Sequence, residues 1–292
     1  MISSLPWLQA QEQQLFQLAL HDHLHHALLL TGPAGIGKHV LAAQLAHLLL
    51  CLAPADDGAC GRCKSCLLVK AGHHPDLLLV QAQPSIGIEQ IREIGHLLQN
   101  AAQQGGARVV LLPQAHLMTE AAANALLKSL EEPGQRCYFL LQSAYAGQLM
   151  PTILSRCQRW DLSAQYGDRA SQWLIQQSAR QVPDFLLALC GGAPLKALSL
   201  LESGAADQLQ LDLTALTDFL RRGGDVQKVV AQLEKQAELP ALLYYALGHT
   251  AAGSYRVIQL LADWSRNQQT VAGQNKTLAL TTLLLDCVQL LR

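Results

Sequence analysis

Short runs of apolar, often branched residues recur through the first 165 positions, separated by polar stretches with helical spacing. The runs fall at Ala27–Thr31, Leu77–Gln81, Val109–Leu112, Tyr138–Gln142 and around Trp160–Leu162. Each has the length and composition of a strand buried on both faces. Between them, Val40, Leu41, Leu45, Leu48 and Leu49 fit one face of a helix. Ile88, Ile91, Ile94, Leu97 and Leu98 fit another. Thr119 is placed to cap a third helix through "EAAANALLKSLEE", which Pro133 ends. Strands alternating with helices predict an α/β fold with a parallel sheet, covered on both faces and connected by right-handed crossovers.

The pattern changes near Gly167. Strand-like runs disappear, and Leu, Ala and Gln dominate segments such as "SQWLIQQ", "DFLLALC", "LTALTDFLRRGG" and "TLALTTLLLDCVQLL". These read as helices broken by Gly and Pro. A division near residue 203 separates a small helical unit containing the "CGGAP" turn from a larger helical bundle. The polar stretch "SRNQQTVAGQNKT" (265–277) reads as a loop.

Composition narrows the class. Half of the residues are hydrophobic, enough for a large core, yet no apolar run approaches the roughly 18 to 20 residues that cross a bilayer. The N-terminal stretch lacks the basic-then-apolar order of a secretory signal. The expectation is a cytoplasmic protein with no membrane partner. The formal net charge is −1, from 21 basic and 22 acidic residues. That balance argues against a free-standing nucleic-acid binder, which carries a cationic surplus or stripe.

Three groups of residues carry candidate chemistry. The first is "TGPAGIGKH" (31–39), where Gly32, Gly35, Gly37 and Lys38 sit as in a phosphate-binding loop between a strand and a helix. Such a loop normally continues with a Ser or Thr that ligates Mg²⁺. Here it continues with His39, a poor substitute for a hard oxygen ligand. After "RVVLL" (108–112) a hydrolytic motor needs an acidic pair, and the chain has Pro113 and Gln114. Two independent metal-handling positions are missing. Hydrolysis is not expected, and ATP binding through Gly37 and Lys38 stays open.

The second group is "CLAPADDGACGRCKSC", in which Cys51, Cys60, Cys63 and Cys66 have the spacing C-x₈-C-x₂-C-x₂-C. In a cytosolic chain such a cluster points to a metal rather than to disulfides. Four thiolates favour structural Zn²⁺ over the alternatives, an iron–sulfur site or unligated thiols. The third is Arg156 in "TILSRC" (152–157). A lone loop arginine is ordinarily solvated or salt-bridged, but it is also the residue that stabilises phosphoryl-transfer charge when a neighbour supplies it in trans.

Taken together, "GPAGIGKH", the four cysteines, "GHHPD" (72–76), "AANALLKSLEEP" (122–133) and "TILSRC" resemble the delta-prime family of bacterial DNA polymerase III clamp-loader subunits, in the AAA+ superfamily. The resemblance is concentrated in residues 25–162. It implies a RecA-like AAA+ domain over 1–162 with a zinc module near 51–66, a helical lid over 163–202 and a helical collar over 203–292. It implies a non-hydrolysing stator in a heteropentamer with delta and gamma/tau subunits, a complex that loads the sliding clamp onto primer–template DNA using ATP. On this resemblance Arg156 is the arginine finger lent to the neighbouring motor, and Cys51, Cys60, Cys63 and Cys66 hold structural zinc. Leu195, with Lys196 beside it, takes the place of the motor subunits' sensor arginine. Two alternatives remain at this stage. One is a gamma/tau-like motor that hydrolyses ATP. The other is a nucleotide-binding zinc protein with a regulatory role outside replication.

Overall fold

A computed structural model describes residues 5–99, 101–178, 180–250, 255–270 and 275–291. The chain divides into two units, Met1–Gln165 and Tyr166–Arg292. In the first, helix α1 (Gln9–Leu20) precedes strand β1 (Ala27–Thr31). Helices α2 (Lys38–Leu50) and α3 (Lys64–Lys70) lead to β2 (Leu77–Leu79). Then come α4 (Ile88–Gln99), β3 (Arg108–Leu112), α5 (Glu120–Glu131), β4 (Cys137–Ser143), a short α6 (Pro151–Leu154) and β5 (Gln158–Asp161).

The strands form one parallel sheet in the order β2-β3-β4-β1-β5. β1 lies between β4 and β5, with Ala27 opposite Phe139 and Thr31 opposite Ser143. Flanked on both edges and covered on both faces, all five of its residues are buried. This is why it reads as an unbroken apolar run. The edge strands β2 and β5 are partly exposed and shorter. Leu29, Val110, Phe139 and Leu141 of the sheet pack with Ile91, Ile94, Leu126 and Leu130 of α4 and α5. Each such side chain contributes about 1.5–3 kcal/mol on burial.

Two helices depart from their simple stripes. α2 is buried nearly all round, because it meets the sheet as well as α1 and α3. Conversely, Leu97, expected on the buried face of α4, is exposed. The α5 start is as expected: Thr119 Oγ1 accepts from Ala122 N–H at 3.2 Å, and the helix ends at Glu131, ahead of Pro133. Thr119→Ala removes this cap and is expected to lower stability by about 1 kcal/mol, read from the urea-unfolding midpoint.

Chain order places the strands' carboxyl ends together. β1 adjoins β4 rather than β2, and the crevice opened by such a reversal is where α/β sheets bind ligands. The glycine loop that follows β1 emerges there.

The second unit is helical among its described residues: α7 (Asp168–Gln177), α8 (Asp184–Leu189), α9 (Pro194–Glu202), α10 (Ala205–Arg222), α11 (Val226–Leu233), α12 (Leu239–Thr250), α13 (Tyr255–Thr270) and α14 (Lys276–Leu291). The loop expected over 265–277 is corrected: residues 265–270 finish α13, Lys276 and Thr277 open α14, and 271–274 lie outside the described residues. The polar side chains of this stretch belong to an amphipathic helix. Asp212 of α10 is buried, and it accepts from the amides of Gln208, Gln232 and Gln236 at 2.8, 2.8 and 2.7 Å. Those bonds answer the cost of burying a carboxylate and join α10 to α11 and the turn beyond it. Lys196 Nζ meets Glu238 Oε2 at 2.6 Å. Among the described residues no helix is long and apolar enough to cross a membrane.

Candidate functional site

The glycine loop has the backbone of an anion cradle. Gly32, Gly35 and Gly37 all hold positive φ, at 139°, 84° and 112°, and Gly37 is the N-cap of α2. Gly32 has no room for a side chain, since a Cβ there would stand 2.3 Å from the Leu162 carbonyl oxygen. At Gly37 a Cβ would meet Leu5 Cδ1 at 2.3 Å. Leu5 and Leu8 precede α1 and are buried against the loop, and Trp7 Nε1 donates to the Ile36 carbonyl at 2.8 Å. The segment before α1 therefore packs onto the loop and fixes its shape.

Lys38 is folded back on this loop. Its Nζ donates to the carbonyls of Gly32 and Pro33 at 2.6 and 2.9 Å. Burial pulls its pKa from the ordinary 10.5 down to about 8. Between those two pH values the unfolded chain binds more protons at this position than the folded one, so the Lys38 contribution makes folding more favourable as pH rises. Lys38→Met removes that contribution. The stability of the natural chain relative to Lys38→Met is expected to increase from pH 8 to pH 10, measured by denaturant midpoints at each pH.

Two further positions noted beside the loop can be placed. His39 is exposed at the second position of α2. Pro113 and Gln114 follow β3 at the carboxyl edge, and neither offers a carboxylate. Asp161, at the end of β5, is held by Thr31 Oγ1 and by Arg159 Nε at 2.8 Å, and the Thr31 bond is the main cause of its lowered pKa. One polar group at this edge was missed by sequence reasoning. Ser143, the last residue of β4, lies 3.2 Å from His116 Nδ1 and accepts from Tyr145 N–H at 3.0 Å. Burial and the Lys38 charge lower the His116 pKa, which favours the neutral ring. A polar residue closing the buried run "FLLQS" is the signal that marks Ser143.

Arg156 stands on the surface between α6 and β5. One guanidinium nitrogen donates to the Thr152 carbonyl at 3.0 Å, and the other meets the Glu131 carboxylate at the end of α5. Its side chain remains 35% exposed. The neighbouring Cys157 is pushed up to about 11 by burial, so it is no nucleophile at neutral pH.

The four cysteines converge. Cys51 caps the end of α2, Cys60 lies in the following loop, Cys63 caps the start of α3, and Cys66 is in its first turn. Their four sulfurs all lie within 4.8 Å of one another. Cys60 and Cys66 Sγ are 3.9 Å apart, close to the ~3.8 Å edge of a tetrahedron with ~2.3 Å Zn–S bonds. Backbone N–H groups already point at the sulfurs: Cys60 N to Cys51 Sγ at 3.3 Å, Cys63 N to Cys60 Sγ and Cys66 N to Cys63 Sγ, both at 3.4 Å. N–H donors from Arg62 and Cys63 pull the Cys60 thiol down to about 6, while burial pushes Cys66 up to about 12. Geometry and donor type both fit a closed four-thiolate metal site with no open position for chemistry.

The site residues therefore form three separate groups: the loop with Lys38 at the sheet's carboxyl edge, Arg156 on the surface, and the cysteines beyond the end of α2. Comparison with known proteins gives the family. A family model described as "DNA polymerase III, delta subunit" matches residues 8–165. The DNA polymerase III subunit delta' of Pseudomonas aeruginosa is 38% identical over 307 aligned positions, covering 96% of this chain and 89% of that protein. Its counterpart from Haemophilus influenzae is 40% identical, covering 76% of this chain and 69% of that protein. Among solved structures, a DNA polymerase III gamma subunit-related protein from Thermotoga maritima matches with a TM-score of 0.53 at 18% identity, covering 96% of this chain and all of that one. That last likeness is one of fold. The family model and the two relatives give the assignment: this chain belongs to the DNA polymerase III subunit delta' family.

Proposed function

We propose that the protein is a non-hydrolysing subunit of a DNA polymerase III clamp loader. In this reading it holds its place in an assembly with delta and gamma/tau subunits and lends Arg156 to the ATP site of the adjacent motor. The assembly places the sliding clamp on primer–template DNA in the cytoplasm. Residues 1–162 form the ATPase-like domain, 163–202 the lid and 203–292 the collar that joins the oligomer. Helices α7–α9 fall within the proposed lid, and α10–α14 within the proposed collar. Cys51, Cys60, Cys63 and Cys66 hold zinc in a structural role.

The observation that carries the reading is the pair Pro113–Gln114 at the end of β3. Phosphoryl transfer at a phosphate loop depends on a metal held by an acid at this position, and the chain has no anion there. His39 weakens the same metal site from the other side. Arg156 supports the complementary half of the reading: it is partly exposed, carries the planar guanidinium suited to phosphoryl oxygens, and pairs with Glu131 at the surface.

One observation favours a second reading, a motor of the gamma/tau type. Lys38 and the left-handed glycines keep the shape of a working loop. The two readings part on a single experiment, ATP turnover by a reconstituted clamp loader carrying either Arg156→Ala or Lys38→Ala.

A further inference from the structure

Ser65, His74 and Asp76 are buried beside the cysteine cluster, at 0%, 6% and 4% exposure. Ser65 Oγ donates to the Leu50 carbonyl at 2.5 Å and lies 2.6 Å from His74 Nε2. A hydroxyl has one proton, and it is committed to Leu50. Oγ must therefore accept from Nε2–H. On the other side of the ring, Asp76 N–H donates to His74 Nδ1 at 3.1 Å. Both contacts require the same form: a neutral imidazole with its proton on Nε2.

These are the residue types of a hydrolytic triad wired in the opposite sense. The ring nitrogen facing Ser65 gives a proton rather than taking one. The Asp76 carboxylate does not reach the ring. Its two oxygens accept from Gln103 N and Gln104 N at 2.8 and 2.9 Å. No nucleophile can be generated at Ser65 by this arrangement.

What the array does is join ligand-bearing pieces. Leu50 immediately precedes Cys51, and Ser65 lies between Cys63 and Cys66. The Ser65–Leu50 bond thus ties the end of α2 to the start of α3 from the buried side. His74 backs Ser65 against the segment entering β2. Asp76 carries the connection onward, its carbonyl accepting from Val109 N in β3 at 2.9 Å.

We propose that Ser65 and His74 are positioning residues for the metal site: a hydrogen-bonded strut that holds Cys51 against Cys63 and Cys66 and links the site to the edge of the sheet. The proposal rests on the reading of the four cysteines as a zinc site. Groups that orient metal ligands without touching the metal typically change affinity by about 10–100-fold when removed.

The test is zinc release from the full-length chain to a chromogenic chelator. Ser65→Ala and His74→Asn are compared with the natural sequence and with Leu126→Ala, which opens a cavity in the core around α5. The expected result is release about 10-fold or more faster in the two strut variants and little changed in Leu126→Ala. Release at the natural rate in folded Ser65→Ala overturns the proposal, as does equally fast release from Leu126→Ala. Nitrogen-15 NMR of the natural chain tests it without any variant: the Nε2–H tautomer of His74 supports the strut, and the Nδ1–H tautomer removes it. Natural protein that binds no zinc with its thiols intact removes the metal reading itself, an outcome distinct from unchanged release rates.

Discussion

Arg156→Ala lowers steady-state ATP turnover by a clamp loader reconstituted with this chain, while Lys38→Ala leaves it near the natural rate. The size of the first effect follows from what an arginine does at a phosphoryl group in transit. Supplied in trans it is worth on the order of 10³-fold or more at the site it serves. Only one neighbouring motor would receive it, so the loss seen in the whole complex depends on how the motors are coupled. Independent sites would lose only that one site's share of the combined rate, and sites firing in sequence would lose far more. Arg156→Lys separates charge from shape, because an ammonium keeps the charge and loses the planar fork; it is expected to recover only part of the rate.

The Glu131 contact does not stand in the way. Arg156 and Glu131 are both substantially exposed, at 35% and 49% of their side chains. An ion pair of that kind is worth about 0–1 kcal/mol. Each factor of ten in rate corresponds to ~1.4 kcal/mol, so the transition-state interaction exceeds the pair severalfold. Glu131 can hold the arginine in one orientation before assembly and give it up afterwards. If turnover in a fully assembled complex is unchanged by Arg156→Ala, the arginine has no part in the mechanism. If Lys38→Ala is the damaging change, the loop is a working ATP site and the motor reading replaces the proposed one.

How much of this could be read from the chain differs by element, for physical reasons. β1 was readable to the residue because a central strand needs apolar side chains on both faces, and Ala27–Thr31 supplies them. The edges of β2 and β5 blur because only part of each strand is covered. Periodicity reports which face of a helix is apolar and not how many neighbours it has. So the one-sided stripe of α2 belongs to a helix that is enclosed, and Leu97, on the apolar stripe of α4, is exposed. The convergence of the four cysteines was legible because short C-x₂-C spacings bring thiols together within one turn. The groups around them were not. Ser65 and His74 are nine positions apart, and Asp212 meets glutamines up to 24 positions away. Such bonds depend on how elements pack, and no single-element pattern encodes them. Ser143 and His116, 27 positions apart, belong with these.

Removing the metal, by chelation or by Cys60→Ser with Cys63→Ser, is expected to loosen residues 51–70 and leave the central sheet folded. The four cysteines enter from three pieces: Cys51 from the end of α2, Cys60 from the loop after it, and Cys63 and Cys66 from the start of α3. The main core of β1, β3, β4, α4 and α5 includes none of the four cysteines. The sheet therefore keeps its packing when the sulfurs lose their common partner. The segment between Cys51 and Cys63 has little else to hold it: besides the N–H···S bonds, its backbone ties among the described residues are a short pairing of Ala55 with Gly58 and a bond from Lys70 Nζ to the Gly61 carbonyl at 3.0 Å. Structural zinc contributes about 10–16 kcal/mol of apparent binding free energy in small peptide sites, and here part of that is realised as local order. Amide hydrogens across 51–70 should exchange on the order of 10²-fold faster or more after metal removal, with those of β1 and β4 little altered. Elemental analysis of the untreated protein should give about one zinc per chain, with no visible absorption of the kind iron–sulfur clusters show. Uniform acceleration across the whole first unit would mean the metal supports the entire fold. Unchanged exchange across 51–70 would mean that hydrogen bonding alone holds the cysteine loop, and that the four thiols share a pocket for some other reason.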